Sequence, residues 1–241
     1  MELTVLLPAY READSLRQLL PSLKSQVSEV TSSYEILVVD AQTKIDETEE
    51  VCGEFGVRHV FRRNGNLYGD AMRTGIAESS GRFVVVMDAD GSHNPCHLPS
   101  LWSERERFDV VIGSRYAPGG QTENPALLIA MSYVVNLTFR LAFHLDCKDV
   151  TNSFRLYRGA QLRTLKLECN NFDLVEEILI RLVAGPTGAR VKEVPVVFER
   201  RKAGESKRNL VTFAVSYVQT VVRLRRFYRA ARREARVKHA Y

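Results

Sequence analysis

Four consecutive apolar residues, Val84-Val85-Val86-Met87, three of them β-branched, run straight into Asp88-Ala89-Asp90-Gly91. A run without polar alternation suits a strand covered on both faces, so the chain must place helices on either side of a sheet. The surrounding pattern agrees. Residues 3–7, 35–39, 57–61 and 109–113 read as further short strands. Between them lie helical stretches: one beginning at Asp14-Ser15 with Leu16, Leu19, Leu20 and Leu23 on one face, then 47–55, 69–79 and 98–106. Strands alternating with helices predict a mostly parallel α/β sheet with helices on both faces. Ligands of such sheets bind beyond the carboxyl ends of the strands. That rule gathers Pro8-Ala9-Tyr10, Asp40, Asp88 and Asp90 along one edge.

Carboxylates at i and i+2 beyond a strand end can converge on one hard cation, which prefers oxygen ligands. A cation there can hold a pyrophosphate and absorb the charge of a departing phosphate. Taken alone, an Asp-X-Asp is more often an acidic turn that solvates a strand end, and the rest of the chain reverses that reading. His93, Cys96 and His97 follow closely and raise a zinc reading, but Pro95 interrupts the helix that would align the two histidines. The oxygen-rich cluster also opposes zinc's preference for nitrogen and sulfur. The first strand lacks a Gly-X-Gly-X-X-Gly, and Gly69-Asp-Ala-Met-Arg-Thr-Gly75 lacks the Lys-Ser/Thr of a phosphate loop. Dinucleotide-dependent dehydrogenases and Walker-type ATPases are therefore unsupported.

Charge is unevenly distributed. Residues 200–241 hold 13 Lys and Arg against Glu205 and Glu234, whereas the first 199 residues carry 21 basic and 27 acidic groups. A basic tail on a slightly acidic body points to a polyanionic surface. The four cysteines are scattered without a Cys-X-X-Cys, which fits a reduced, cytosolic chain. No signal peptide and no uninterrupted apolar run of membrane-spanning length is expected; 126–143 approaches one but contains Asn136 and Arg140.

Several segments occur in a telling order: Leu7-Pro-Ala-Tyr-Arg-Glu12, Val38-Val-Asp40, Val86-Met-Asp-Ala-Asp-Gly-Ser-His93, Gly113-Ser-Arg-Tyr-Ala-Pro-Gly-Gly120, Thr151-Asn-Ser-Phe-Arg-Leu-Tyr-Arg158 and Gly204-Glu-Ser-Lys207. Across 3–208 the chain resembles the family 2, GT-A-fold glycosyltransferases, in particular the dolichol- and polyprenol-phosphate mannose synthases. The resemblance implies a metal-dependent, inverting transferase that moves a hexose, mannose from GDP-mannose, onto a polyprenyl phosphate. It implies that Pro8, Tyr10, Glu12, Val38 and Asp40 hold base and ribose, and Asp88, Ala89 and Asp90 the ribose and diphosphate. Mg²⁺ or Mn²⁺ would sit on Asp90 with help from Ser92 and Asp88. Arg115, Arg201 and Lys207 would face phosphates, with Asp88, Asp90 and Arg115 carrying catalysis. An acceptor that is already an ionised phosphate needs no general base, and none stands out.

The chain departs from the family in two places. Asp40 is followed by Ala41-Gln42-Thr43-Lys44-Ile45-Asp46 rather than Asp-Gly-Ser, which affects base or ribose recognition. The segment 124–136, where relatives carry basic residues for the acceptor phosphate, has none. Its apolar stretch reads equally as a core helix or as a helix lying on lipid.

The sequence thus predicts a catalytic domain over 1–208 and a helical basic extension over 209–241. The extension's stripe of Leu210, Phe213, Tyr217, Val221, Leu224 and Tyr228 is expected to meet an anionic membrane, making the protein peripheral to a membrane's cytosolic face. No nucleic-acid partner is expected, and the sequence leaves the oligomeric state open. The rival readings are a family 2 transferase using a UDP-sugar or a non-lipid acceptor, and a non-catalytic polyanion- or membrane-binding module.

Overall fold

The computed structural model describes residues 1–186, 188–200 and 210–238, with side chains described for all but 210–216 and 234–238 of these. In chain order the first half comprises β1 (Leu3–Pro8), α1 (Ala13–Val30), β2 (Tyr34–Asp40), α2 (Thr48–Phe55), β3 (Arg58–Phe61), α3 (Tyr68–Glu78), β4 (Phe83–Val86), α4 (Leu98–Ser103) and β5 (Val110–Ser114). The second half comprises β6 (Gln121–Thr122), α5 (Ala126–Phe143), β7 (Arg155–Arg158), α6 (Gly159–Arg163), α7 (Leu174–Ala184), β8 (Val191–Pro195), β9 (Val197–Phe198) and α8 (Leu210–Lys238). Seven strands form one sheet in the order β3-β2-β1-β4-β7-β5-β8. All neighbours are parallel except β7, which runs antiparallel to both β4 and β5. A small parallel pair, β6 with β9, stands apart.

The apolar run at 84–87 behaves as its composition demands. Val84 and Val86 enter one core cluster with residues of α3, α5, α7 and α8, while Val85 and Met87 enter the other with residues of α1, α2 and α4. Successive side chains of a strand point to opposite faces, so a strand sandwiched between two helical layers must be apolar throughout. Close helix–sheet approach also leaves a mark: a Cβ on Gly75 of α3 would lie 2.2 Å from Leu6 Cδ1 of β1.

Three features were not legible beforehand. β7 reads Arg-Leu-Tyr-Arg, yet Arg155 is wholly buried, its guanidinium donating to the carbonyls of Asn152 (2.6 Å), Val175 (3.1 Å) and Val150 (2.5 Å). β8 lies at the sheet edge, where Lys192 and Glu193 mask its strand character. The third is α8. Tyr217, Leu224 and Tyr228 join the core, with Tyr217 against Phe139 and Tyr228 against Phe143 of α5. The described part of the stripe expected to face a membrane, with Val221 also against the core, is thus spent on internal packing, while the side chains of Leu210 and Phe213 lie outside the described residues. A helix with one apolar face looks the same in sequence whichever surface covers it.

Candidate active site at the sheet edge

Parallel pairing of β2, β1 and β4 brings Asp40, Pro8 and Asp88 to one edge of the sheet. Adjacent strands lie about 5 Å apart, so Asp40 and Asp88 stand on the order of 10 Å from each other, with Pro8 between them. The antiparallel β7 adds what the carboxyl-end rule omits. Because Arg155 pairs with Val86, the segment leading into β7 arrives at this same edge beside the two aspartates.

Asp88 is held twice. Ser153 Oγ donates to its Oδ1 at 3.0 Å, and its backbone N–H donates to Nδ1 of His93 at 3.0 Å. Asp90 is held by Ser92, whose N–H (3.0 Å) and hydroxyl (2.6 Å) both donate to Oδ1. Gly91, at φ 78°, makes the left-handed turn that brings Ser92 back to Asp90. Ser92, expected as a metal ligand, is buried and donates its hydroxyl proton to Asp90, which keeps its oxygen beside that carboxylate. No group of three or more His, Cys, Asp or Glu able to surround a metal occurs among the described residues. Two braced carboxylates nevertheless suit Mg²⁺ or Mn²⁺, hard ions that fill the rest of their shell with substrate phosphate and water. Zinc does not fit. Both ring nitrogens of His93 are engaged, and Nε2 of His97 accepts the Val197 N–H at 3.0 Å. Burial also lowers the His97 pKa.

The other expected residues fall into three groups. Tyr10 is 39% exposed and carries the Arg62 guanidinium 5.5 Å from its ring centroid, offering a flat face at the rim. Pro8 ends β1 beside it, and Glu12 accepts from Ser15 Oγ at 2.9 Å. Asp40 is buried, accepting from its neighbour Ala41 N–H (2.7 Å) and lying 3.3 Å from Nε2 of His59. Val38 and Ala89 are buried, and Val38 pairs with strands on both sides and packs into the core with residues of α1, α2 and α4. Arg201 and Lys207 lie outside the described residues.

Arg115, just beyond β5, is the most constrained. Its Nε and Nη2 grip the wholly buried Asp149 at 2.8 and 2.7 Å, and Nη2 also reaches Thr151 Oγ1 (2.7 Å) and Ser132 Oγ (3.2 Å). Burial alone would lower its pKa, but the Asp149 bonds and charge raise it overall. Asp149 is itself set by Glu193, which accepts the N–H groups of Asp149 and Lys148 at 2.8 Å each. Asp149, Thr151, Asn152, Ser153 and Ser132 are the site residues that the sequence reading missed. Four of them lie in one stretch before β7, whose only signal was the Thr-Asn-Ser-Phe-Arg segment.

Solved structures share this fold. Glucosyl-3-phosphoglycerate synthase of Mycobacterium tuberculosis, in complex with Mn²⁺, UDP and phosphoglyceric acid, superposes with a TM-score of 0.72 at 18% identity, over 93% of this chain and 78% of that one. Its complex with Mg²⁺ and UDP gives 0.67 at 17% identity, over 91% and 76%. The fold is that of the GT-A glycosyltransferases. The glycosyl transferase family 2 model matches residues 4–165, and the chain belongs to that family: it is a glycosyltransferase. It is 33% identical to an undecaprenyl-phosphate mannosyltransferase of Micrococcus luteus, over 86% of this chain and 87% of the relative. It is 30% identical to a dolichol-phosphate mannosyltransferase of Pyrococcus furiosus, over 86% of this chain but only 59% of that longer protein.

Proposed function

We propose that the chain transfers mannose from GDP-mannose to a polyprenyl phosphate with inversion, using Mg²⁺ or Mn²⁺ held by Asp88 and Asp90. The observation that carries this reading is the pair of carboxylates braced by Ser153, His93 and Ser92 at the carboxyl edge of the sheet. Relatives named for transfer to undecaprenyl and dolichol phosphate supply the acceptor class. Tyr10, Pro8 and Glu12 line the side where base and ribose would lie, with Asp40 shaping it from beneath. When bound, the cation supplies charge neutralisation for the departing nucleoside diphosphate. The chain's own part is to fix the donor so that the acceptor phosphate, already ionised, approaches from the opposite face. The test is transfer of labelled mannose from GDP-mannose to a polyprenyl phosphate, run beside UDP-glucose. Product with UDP-glucose alone would replace the donor, and turnover in excess EDTA would remove the metal.

Arg115 would orient the acceptor phosphate. Asp149 fixes its planar fork, with the hydroxyls of Ser132 and Thr151 alongside. A lysine keeps the charge but cannot span both oxygens of Asp149 and a hydroxyl together. Arg115→Lys should lower kcat/KM for the acceptor ~10-fold, the equivalent of one charged hydrogen bond. Donor hydrolysis without acceptor should persist. Equal kcat/KM in the two proteins would put the acceptor phosphate elsewhere.

We further propose that the domain sits on the cytosolic face of an anionic membrane through α5 and α8. Leu127, Val134 and Leu141 are 64, 62 and 69% exposed at seven-residue intervals on α5. The opposite face is anchored by Asn136, which accepts the Val150 N–H at 2.7 Å, and by buried Phe139 and Phe143. Of the described helices, α5 alone is long and apolar enough to cross a membrane. Exposed Arg225, Arg226 and Arg229 on the adjoining α8 add attraction to anionic headgroups. Val134→Asp removes about 1.5 kcal/mol of apolar burial, so its partition into phosphatidylglycerol vesicles should fall ~10-fold. Equal sedimentation of both proteins with vesicles would exclude this face.

A further inference from the structure

His93 braces Asp88 without facing a ligand itself, and its ring is almost wholly enclosed. It is 1% exposed, stacked on Phe154 (5.1 Å between centroids, 21° between planes) and met edge-on by Phe198 (5.3 Å, 78°). Nδ1 accepts the Asp88 N–H, so that nitrogen carries no proton. Nε2 then bears the hydrogen and donates to Asn152 Oδ1 at 2.9 Å. Asn152 in turn gives Nδ2–H to the Gly113 carbonyl at 2.5 Å, which fixes its amide orientation. One chain of hydrogen bonds thus joins the end of β4, the segment before β7 and the end of β5. Ser153, next in sequence to Asn152, holds the Asp88 carboxylate. The backbone of Asp88 therefore hangs from His93, and its side chain from Ser153, the neighbour of the residue that holds His93.

We propose that His93 is a positioning residue: its Nε2–H tautomer closes the 88–93 loop and sets the spacing of the Asp88 and Asp90 carboxylates for a divalent cation and diphosphate. This rests on the metal site proposed above. A residue with no acceptor at Nδ1 strands a buried N–H. The loop relieves that by shifting, which moves one carboxylate relative to the other. Partners behind metal ligands are commonly worth 10- to 100-fold in metal affinity.

The substitutions separate the two ends of the ring. Asn places its Oδ1 where Nδ1 stands and keeps the Asp88 bond, Gln reaches only towards Asn152, and Phe keeps the stacking with neither bond. Mn²⁺ affinity is read by electron paramagnetic resonance of free Mn²⁺ with saturating GDP, and separately with UDP. His93→Asn should stay within ~3-fold of the parent, whereas His93→Gln and His93→Phe should bind Mn²⁺ ~10- to 100-fold more weakly. Metal-free nucleotide affinity should be unchanged in all three, which a merely loosened fold would not leave intact. If His93→Phe does not fold, the Asn and Gln pair decides. Gln binding Mn²⁺ as tightly as the parent overturns the proposal. A parent protein that binds no Mn²⁺ with either nucleotide overturns the metal site itself, and this inference with it. Nitrogen-15 spectra of the imidazole in the metal-free protein give an independent reading. Protonated Nε2 with bare Nδ1 supports the assignment; the reverse tautomer overturns it without touching the metal site.

Discussion

Asp90→Asn should lower mannosyl transfer at least ~100-fold, the scale lost when one element of transition-state charge stabilisation is removed. The structure makes this substitution unusually clean. Asp90 Oδ1 accepts two bonds from Ser92, and an asparagine oxygen can accept both, so the turn at Gly91 should persist. What changes is the second position of the side chain, which becomes an uncharged amide presenting N–H groups where a cation would need a lone pair. The thermal midpoint should therefore stay within a few degrees while turnover collapses. Raising Mn²⁺ should recover little, because the defect lies in the ligand and not in its occupancy. Initial rates at saturating donor, with and without EDTA, are the measurement. An Asp90→Asn protein with parental rates would mean that the carboxylate pair only solvates the end of β4, the bland reading of any isolated Asp-X-Asp.

Much of the Pro8, Asp40 and Asp88 side of this edge could be read from sequence because it obeys two simple rules. Apolar runs mark β1, β2, β4 and β5, and the carboxyl-end rule then places Pro8, Asp40 and Asp88 without further information. The Arg115 and Asp149 side escaped for a physical reason. It is delivered by the amino end of an antiparallel strand, β7, and that strand hides behind a buried arginine. Hydrophobic patterning scores Arg155 as surface, yet three backbone carbonyls satisfy its guanidinium in the interior. Enclosure was not legible either: Val38 and Ser92 are both buried, and Ser92 donates its hydroxyl proton to Asp90. Arg115 stands at the expected strand end, but no spacing rule predicts that Asp149, 34 residues away, grips it. The same limit governed α8, whose stripe could have met lipid or core and, from Tyr217 to Tyr228, meets the core.

Glu176→Gln should stabilise the protein, by an amount that grows with pH. Glu176 lies wholly buried on α7 under α8, where Tyr217 OH donates to Oε1 at 3.1 Å and Oε2 has no hydrogen-bond partner among the described residues. Burial raises its pKa to about 8, against the opposing pull of the Arg155 charge and the Tyr217 bond. The unfolded chain ionises this carboxyl near 4.5, so below that pH both states are protonated and folding costs nothing extra. As pH rises, the unfolded state releases its proton while the folded state keeps it up to about 8. Stability is lost throughout that window at up to ~1.4 kcal/mol per pH unit, and the loss levels off above it. Glutamine can accept from Tyr217 in the same way and has no proton to lose. The variant should match the parent near pH 4 and exceed it by about 3 kcal/mol at pH 7. Urea unfolding of both proteins at pH 4, 5, 6, 7 and 8 measures this directly, since other titrating groups are common to the two. Curves that stay parallel across the series would mean that Glu176 is ionised in the folded protein, its charge balanced by Arg155. If they diverge, α8 is seated on a carboxyl that must stay neutral, directly behind the arginine that anchors the segment feeding Asn152 and Ser153 to the site.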